Sequence, residues 1–499
     1  MAEHLINAGD AAGDLLACAA YIGEGVKSSD GHADAMKAIV PLYLAEDDVD
    51  LAAELANTVD DPFSRDRLLT AVAERCAALD DDEYAFQLAD AIEDHGLQAQ
   101  ARERIALRKS AKGDFEKAGD IAAELHHPDY VFADIAIQRF AKGEFEKAQE
   151  ILDGIQFPTA EVFALHAMAA DRIKAEDHAK ALELLDDAVE AAAEIEHDEE
   201  RIRAFADTAN LFIEAKRKDR AVETFDKVRA EAEQLDNIHR DFFIGTAALG
   251  FFQAGSVELA DRALDLVTNK SQSASCLLGY AREYWERDEK EQAVEALDEA
   301  YAILKSEKDS ETRDSRAKYS LFTTIAVQYA RFGKADRAIE TAQENVSESE
   351  QYSGLAQIAQ VLELQGNDDA AHQAIKAITD DVNRMFGLIG LSDAADRAGN
   401  KEKAIEILRE ASTMVETIQQ LSSRSAAYNE LVERFAAHGE PDTAREIALE
   451  NLEIISQIKD DSVRSISLAR LAAVYNEAGF ELSDAEREIL RGMVKVEDW

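Results

Sequence analysis

Six arginines stand at one place in a repeating frame. Arg65, Arg201, Arg240, Arg384, Arg424 and Arg464 each lie fifteen residues before a turn position, respectively Asp80, Lys216, Gly255, Gly399, Gly439 and Gly479. A guanidinium is a rigid fork of donors matched to carboxylates. A periodic row of them could therefore grip acidic groups on a partner, and Arg201, Arg240, Arg384, Arg424 and Arg464 are the candidate protein-binding residues. The same arginines fall where helices begin, and a cation there opposes the helix dipole. The competing reading is a ladder of ion pairs with Asp60, Asp61, Asp380, Asp381, Asp460 and Asp461. The last candidate is Trp499, which closes the acidic segment Val496-Glu497-Asp498 with an aromatic carboxylate that a neighbouring molecule could capture. An ordinary frayed terminus with its Trp on the last helix is the alternative.

Other groups carry less chemistry. His126-His127-Pro128-Asp129 has metal-ligating residue types but no second ligand pair at a defined spacing. Gly23-Glu24-Gly25-Val26-Lys27-Ser28-Ser29 resembles a phosphate loop only loosely, because Val26 stands where the glycine before the lysine is needed and no strand precedes it. Trp285 follows Tyr284 in an expected first helix and reads as core or groove lining. No nucleophile motif or carboxylate pair stands out from the background of 102 acidic residues. The expectation is no catalytic residue, no metal and no cofactor.

Composition narrows the partners. With 54 basic side chains against those 102 acids, the net charge is -48 and is spread along the chain. Nucleic acid is not an expected ligand, because phosphate binding needs a basic surface. The acidity has two readings: a solubilising or salt-adapted surface, or a lure for basic proteins. Cys18, Cys76 and Cys276 are odd in number and far apart, which fits a reducing compartment and buried packing. The apolar run from Leu15 to Ile22 is too short to span a bilayer and no basic segment precedes it, so no membrane insertion and a cytoplasmic location are expected.

The elements that must position these residues repeat. A small or apolar pair is followed three residues on by an aromatic or Leu, then a turn, then an Ala that opens a second amphipathic run; Ile325-Ala326, Tyr329, Gly333 and Ala338 are the clearest copy. Marking each copy by that Ala gives Ala52, Ala85, Ala118, Ala148, Ala181, Ala221, Ala260, Ala293, Ala338, Ala371, Ala404, Ala444 and, with one extra residue, Ala485. Spacings cluster near 33 and 40. Seven added residues are about two helical turns and keep the apolar face in phase, so the long copies read as longer helices.

The pattern resembles the tetratricopeptide repeat (TPR). Its eighth-position small residues are matched by Ala136, Ala169, Ala209, Ala248, Ala281, Ala326 and Ala359, where two helices cross closely. Its twenty-fourth-position bulky residues are matched by Leu185, Phe225, Leu264, Leu297, Ile375 and Leu408, and the aromatics of the eleventh by Tyr43, Phe251, Tyr284, Tyr329 and Phe435. The consensus Trp and terminal Pro are missing from most copies, and Asp47, Asp80, Glu176, Lys216 and Asp288 replace the turn Gly, which leaves a HEAT-like array as the related alternative.

The resemblance implies an all-α, right-handed α-α superhelix: an open solenoid of twelve or thirteen antiparallel helix pairs. Residues 1–34 read as an irregular helical cap, 35–304 as repeats, 305–315 as a charged loop or joint, 316–480 as further repeats, and 481–499 as a capping helix with an acidic tail. Pro41 falls inside an expected first helix and should cost it a hydrogen bond. The implied function is a non-catalytic scaffold or adaptor that binds a protein or peptide, a basic one if the acidity is a lure. The alternative is self-association into a filament or lattice through the end repeats.

Overall fold

A computed structural model describes residues 4–307 and 315–494, which divide into two compact units, 1–105 with 355–499 and 106–354. The first begins with α1 (Ala8–Ala11), α2 (Leu15–Glu24), α3 (Ser29–Ala45), α4 (Val49–Asn57), α5 (Pro62–Ala78), α6 (Asp82–Ala91) and α7 (His95–Lys112), in whose middle the second unit begins. The second unit continues through α8 (Phe115–Ala123), α9 (Asp129–Ala141), α10 (Phe145–Leu152), α11 (Pro158–Lys174), α12 (His178–Ala193), α13 (Asp198–Glu214) and α14 (Lys218–Ala232). It goes on with α15 (Arg240–Ala254), α16 (Val257–Leu264), α17 (Lys270–Glu286), α18 (Lys290–Ser306), α19 (Ser315–Arg331), α20 (Ala335–Gln343) and the start of α21 (Glu348–Leu364). The first unit resumes with α22 (Asp368–Lys376), α23 (Asp381–Arg397), α24 (Lys401–Met414), α25 (Leu421–Ala437), α26 (Pro441–Gln457), α27 (Asp461–Ala478) and α28 (Asp484–Val494). From α3 to α26 the odd-numbered member of each pair is a helix A and the even-numbered member a helix B. No strand occurs among the described residues.

One turn defines the hairpin. At thirteen places, after the twelve helices A and after α27, the first or second residue past the helix has a positive φ: Gly113, Gly143, Gly255, Gly333, Gly366, Gly399, Gly439 and Gly479, and Asp47, Asp80, Glu176, Lys216 and Asp288. The following amide donates back to the residue five before it, as Ser256 N–H does to Phe251 O and Lys334 N–H to Tyr329 O, which closes the end of helix A. That next residue often caps helix B: the side chains of Asp48, Asp81, Asp114, Asp177 and Asn400 accept from the amides three residues on. The left-handed conformation costs a side-chain-bearing residue about 1 kcal/mol, so glycine takes most of these positions.

Small residues let the helices meet. Ala136, Ala169, Ala209, Ala248, Ala281, Ala326 and Ala359 are wholly buried, as are nearly all of the helix-B alanines that mark the repeat. Short copies have helices B of eight to ten residues, such as α10 and α16, whereas α12, α14, α18, α24 and α26 have fourteen to seventeen. The extra residues of the long copies therefore lengthen helix B. Pro41 lies inside α3, which continues through it.

Both ends of the chain belong to the first unit. In the first unit α2 packs along α27 in the place that a helix B takes in the other pairs, and α3 packs on α27 as the next helix A. Ser465 Oγ donates to Ala19 O at 2.7 Å and Ser462 Oγ to Gly31 O at 2.8 Å. A Cβ on Gly23 would meet the Met36 methyl at 2.9 Å and Ser465 Oγ at 3.0 Å, so a side chain there would have to displace its neighbours. Consequently α28 is not the partner of α27 but lies against α26, α2 and α1. Ala485 is exposed and is not a repeat marker; the buried residue there is Glu486, which accepts from Tyr475 OH and, at 2.6 Å, from Ser483 N–H. Residues 308–314 of the charged segment lie outside the described residues. No described helix is long and apolar enough to cross a membrane.

Candidate protein-binding surface

The arginine row is occupied within the fold. Arg201, Arg384 and Arg424 each donate to the carbonyl six residues earlier, at Ile195 (2.8 Å), Ile378 (3.4 Å) and Ile418 (2.6 Å), on the turn between repeats. Arg201 and Arg384, and likewise Arg464, pair at 2.5 Å with the carboxylate three residues back, Asp198, Asp381 and Asp461; among the described residues no carbonyl bond accompanies the pair at Arg464. Arg201 reaches Glu231 of α14, and Arg240 meets Asp241 and Leu266 O. The ion pairs thus lie mostly within one helix rather than forming a ladder between repeats. Of the other expected partners, Asp61, Asp380 and Asp460 cap helices, accepting from Ser64, Asn383 and Val463 amides. Trp499 lies outside the described residues. His126 and His127 are exposed, but Asp129 is buried and bonded elsewhere.

That bonding belongs to a device the sequence reading misses. Asp129 accepts from Gln156 and Phe157 amides at 3.1 and 2.7 Å, Asp66 from Glu93 and Asp94 amides at 3.0 and 2.8 Å, and Asp241 from Thr268 and Asn269 amides at 2.8 and 2.7 Å. In all three a carboxylate at the start of one helix A holds the turn that begins the next. Burial alone would raise the Asp241 carboxyl, but donation from Thr268, Asn269 and Arg240 outweighs it and holds the group below its ordinary value. The available signal was the dipeptide Arg-Asp at 65–66 and 240–241, an acid at a position that elsewhere holds an apolar residue or, at 425 and 465, a serine.

In the second unit the helix-A face leaves apolar side chains uncovered. Tyr130, Phe163 and Phe242 are 47%, 51% and 48% exposed. Each lies thirteen residues before its positive-φ turn, at 143, 176 and 255, and Arg203 holds the same register before Lys216. Because α9, α11, α13 and α15 pack in sequence, these four residues form one row. Tyr130 and Phe163 meet edge to face at 6.2 Å. One turn further along the same face stand Asp134 on α9 and Asp207 on α13, and beyond them the partly exposed Ile137, Ala170 and Leu249. Neither aspartate makes an ion pair among the described residues. Burial lifts the Asp207 carboxyl above its ordinary value, with Arg203 pulling it back. Between the rows, His166 Nε2 donates to Thr208 Oγ at 2.7 Å, Thr208 having given its own proton to Ala204 O. Burial depresses the imidazole to about 4, so it is neutral at pH 7.

The repeat is TPR-like. No family model matches the sequence and no curated protein matches it. Among solved structures, the chain is similar to Ton1535 from Thermococcus onnurineus NA1, with 15% identity over 68% of this chain and 98% of that one and a TM-score of 0.29. It is similar to the quorum sensor NprR from B. thuringiensis, with 15% identity over 66% and 97% and a TM-score of 0.25. PH0952 from Pyrococcus horikoshii, a signal transduction ATPase with numerous domains and a tetratricopeptide repeat sensor, has 15% identity over 65% of this chain and 52% of that one, with a TM-score of 0.27.

Proposed function

We propose that the protein is a non-catalytic scaffold that binds a protein segment on the helix-A face of its second unit. The observation that supports this is the row of half-exposed aromatic residues, Tyr130, Phe163 and Phe242, held at one register on rigid helices. Large aromatic side chains are the usual anchors of protein interfaces. The arginine row has no part in this reading, since Arg201, Arg384 and Arg424 bond turns between repeats and Arg240 and Arg464 pair with Asp241 and Asp461. End-to-end assembly, the other reading of the sequence, would use the face of α27 that α2 and α3 cover.

The test is capture of the full-length protein from the cells that make it, followed by cross-linking and mass spectrometry, alongside the triple variant Tyr130→Ser, Phe163→Ser, Phe242→Ser. A stoichiometric partner cross-linked to residues 129–254 of the wild type and lost from the folded variant is expected. A partner that the variant retains in full would overturn the reading.

A further inference from the structure

Two rows of unlike chemistry run side by side on the helix-A face of the second unit. The apolar row is Tyr130, Phe163 and Phe242; the acidic row, one helical turn along, is Asp134 and Asp207. The first needs apolar cover. The second has room for further cations: neither carboxylate has an ion pair among the described residues, although Arg203, one turn from Asp207, offsets part of that carboxylate's charge. The surrounding chain, with a net charge of -48, repels an acidic segment and concentrates a basic one.

We propose that the occupant of this face is a cationic amphipathic peptide segment of a partner protein, its apolar side chains on Tyr130, Phe163 and Phe242 and its lysines or arginines opposite Asp134 and Asp207. This rests on the helix-A face being the docking surface, as argued above. Its length follows from the span. Tyr130 to Phe242 crosses four neighbouring helices A, whose axes lie about 8 to 10 Å apart. That is about 25 to 30 Å, which an extended segment of about eight residues covers.

The test uses labelled peptides of about twelve residues, long enough to cross the four helices, and the full-length protein at about 0.15 M salt, where exposed charges act over about 8 Å. One peptide alternates Lys and Leu, a second has Glu for Lys, and a third has Ser for Leu. Fluorescence anisotropy should show the Lys/Leu peptide bound, and the other two weaker by about tenfold or more. The triple serine variant should lose about tenfold in affinity, and Asp134→Asn with Asp207→Asn about threefold to tenfold. These side chains are not core residues, and circular dichroism confirms that the variants are folded.

Equal binding of the Lys/Leu peptide to wild type and triple variant would mean that the acidic surface at large holds it, and would overturn the proposal. So would equal binding of the Glu/Leu peptide. If native cross-links fall on α9 to α15 but the Lys/Leu peptide does not bind, the docking face stands and its cationic occupant falls. If the cross-links fall elsewhere, both fall.

Discussion

Asp241→Ala should open the turn between two repeats without touching either core. The carboxylate accepts three hydrogen bonds across that boundary, from Thr268 N–H (2.8 Å), Thr268 Oγ (2.7 Å) and Asn269 N–H (2.7 Å), and it also pairs with Arg240. Each donor left without a partner in a part-buried site costs about 1 kcal/mol or more, so the loss is about 3 kcal/mol. Asp241→Asn keeps one acceptor oxygen and should lose about 1 kcal/mol. In a repeat protein such a loss is felt locally, so the assay is hydrogen exchange of the 268 and 269 amides. At 1.4 kcal/mol per tenfold, the Ala variant should exchange there about a hundredfold faster. The sign with pH follows from the lowered carboxyl. The contribution is present above the ordinary value of about 3.9 and is lost as pH falls through the lower folded value. Unchanged protection of these two amides in the Ala variant would refute the clasp.

His166, depressed to about 4 by burial, contributes stability above its ordinary value of about 6.5 that is lost as pH falls toward 4, at most about 3 kcal/mol. Urea midpoints between pH 7 and 4.5 should therefore fall more steeply for the wild type than for His166→Gln, and parallel profiles would count against a neutral buried imidazole. Gly255→Ala has open space for the methyl group, so its φ of +89° is the whole cost, about 1 kcal/mol by urea unfolding. Lys216→Gly, at a φ of +63°, should change stability by less than about 1 kcal/mol and in the stabilising direction. Burial raises Cys18, Cys76 and Cys276 to about 12, 11 and 12. A thiol reagent at pH 8 should therefore label none of them in the native protein and all three in denaturant, and rapid native labelling would contradict the packing. Deleting residues 1–25 should uncover α27, speed exchange across 461–478 and promote concentration-dependent association; a monomer with unchanged exchange would show that α2 is dispensable to it.

What the sequence made legible was local. The turn frame could be read from residues because a left-handed turn admits few types, and all five non-glycine substitutes named there, Asp47, Asp80, Glu176, Lys216 and Asp288, have a positive φ. The small residues of the crossing could be read for the same reason, since a buried helix contact tolerates little volume. The arginines were visible as a periodic feature, but their role was not. A guanidinium that reaches the carbonyl six residues earlier looks, in one dimension, the same as one that faces solvent. The aromatic row was hidden differently: Tyr130, Phe163 and Phe242 sit among the many apolar residues of their helices, and only exposure separates an uncovered ring from a core one.

The pairing of α2 with α27 was illegible because nothing local specifies it: Ser465 and Ala19 are 446 residues apart. A helix B is normally recognised by following its helix A, and after α27 the chain does offer an amphipathic segment with an alanine near the expected place, Ala485. The competition between α28 and α2 for α27 is decided by shape. Along α2 the residues Cys18, Ala19, Ala20 and Gly23 are all buried, a surface small enough for two helices to approach closely, whereas α28 brings only Glu486, Leu490 and Val494 to the interior. A carboxylate in that seam would need its own hydrogen bonds, and Glu486 finds them with Tyr475 and Ser483 at the edge of the repeat. The helix with small residues takes the groove, and the helix with the buried acid is left to cap.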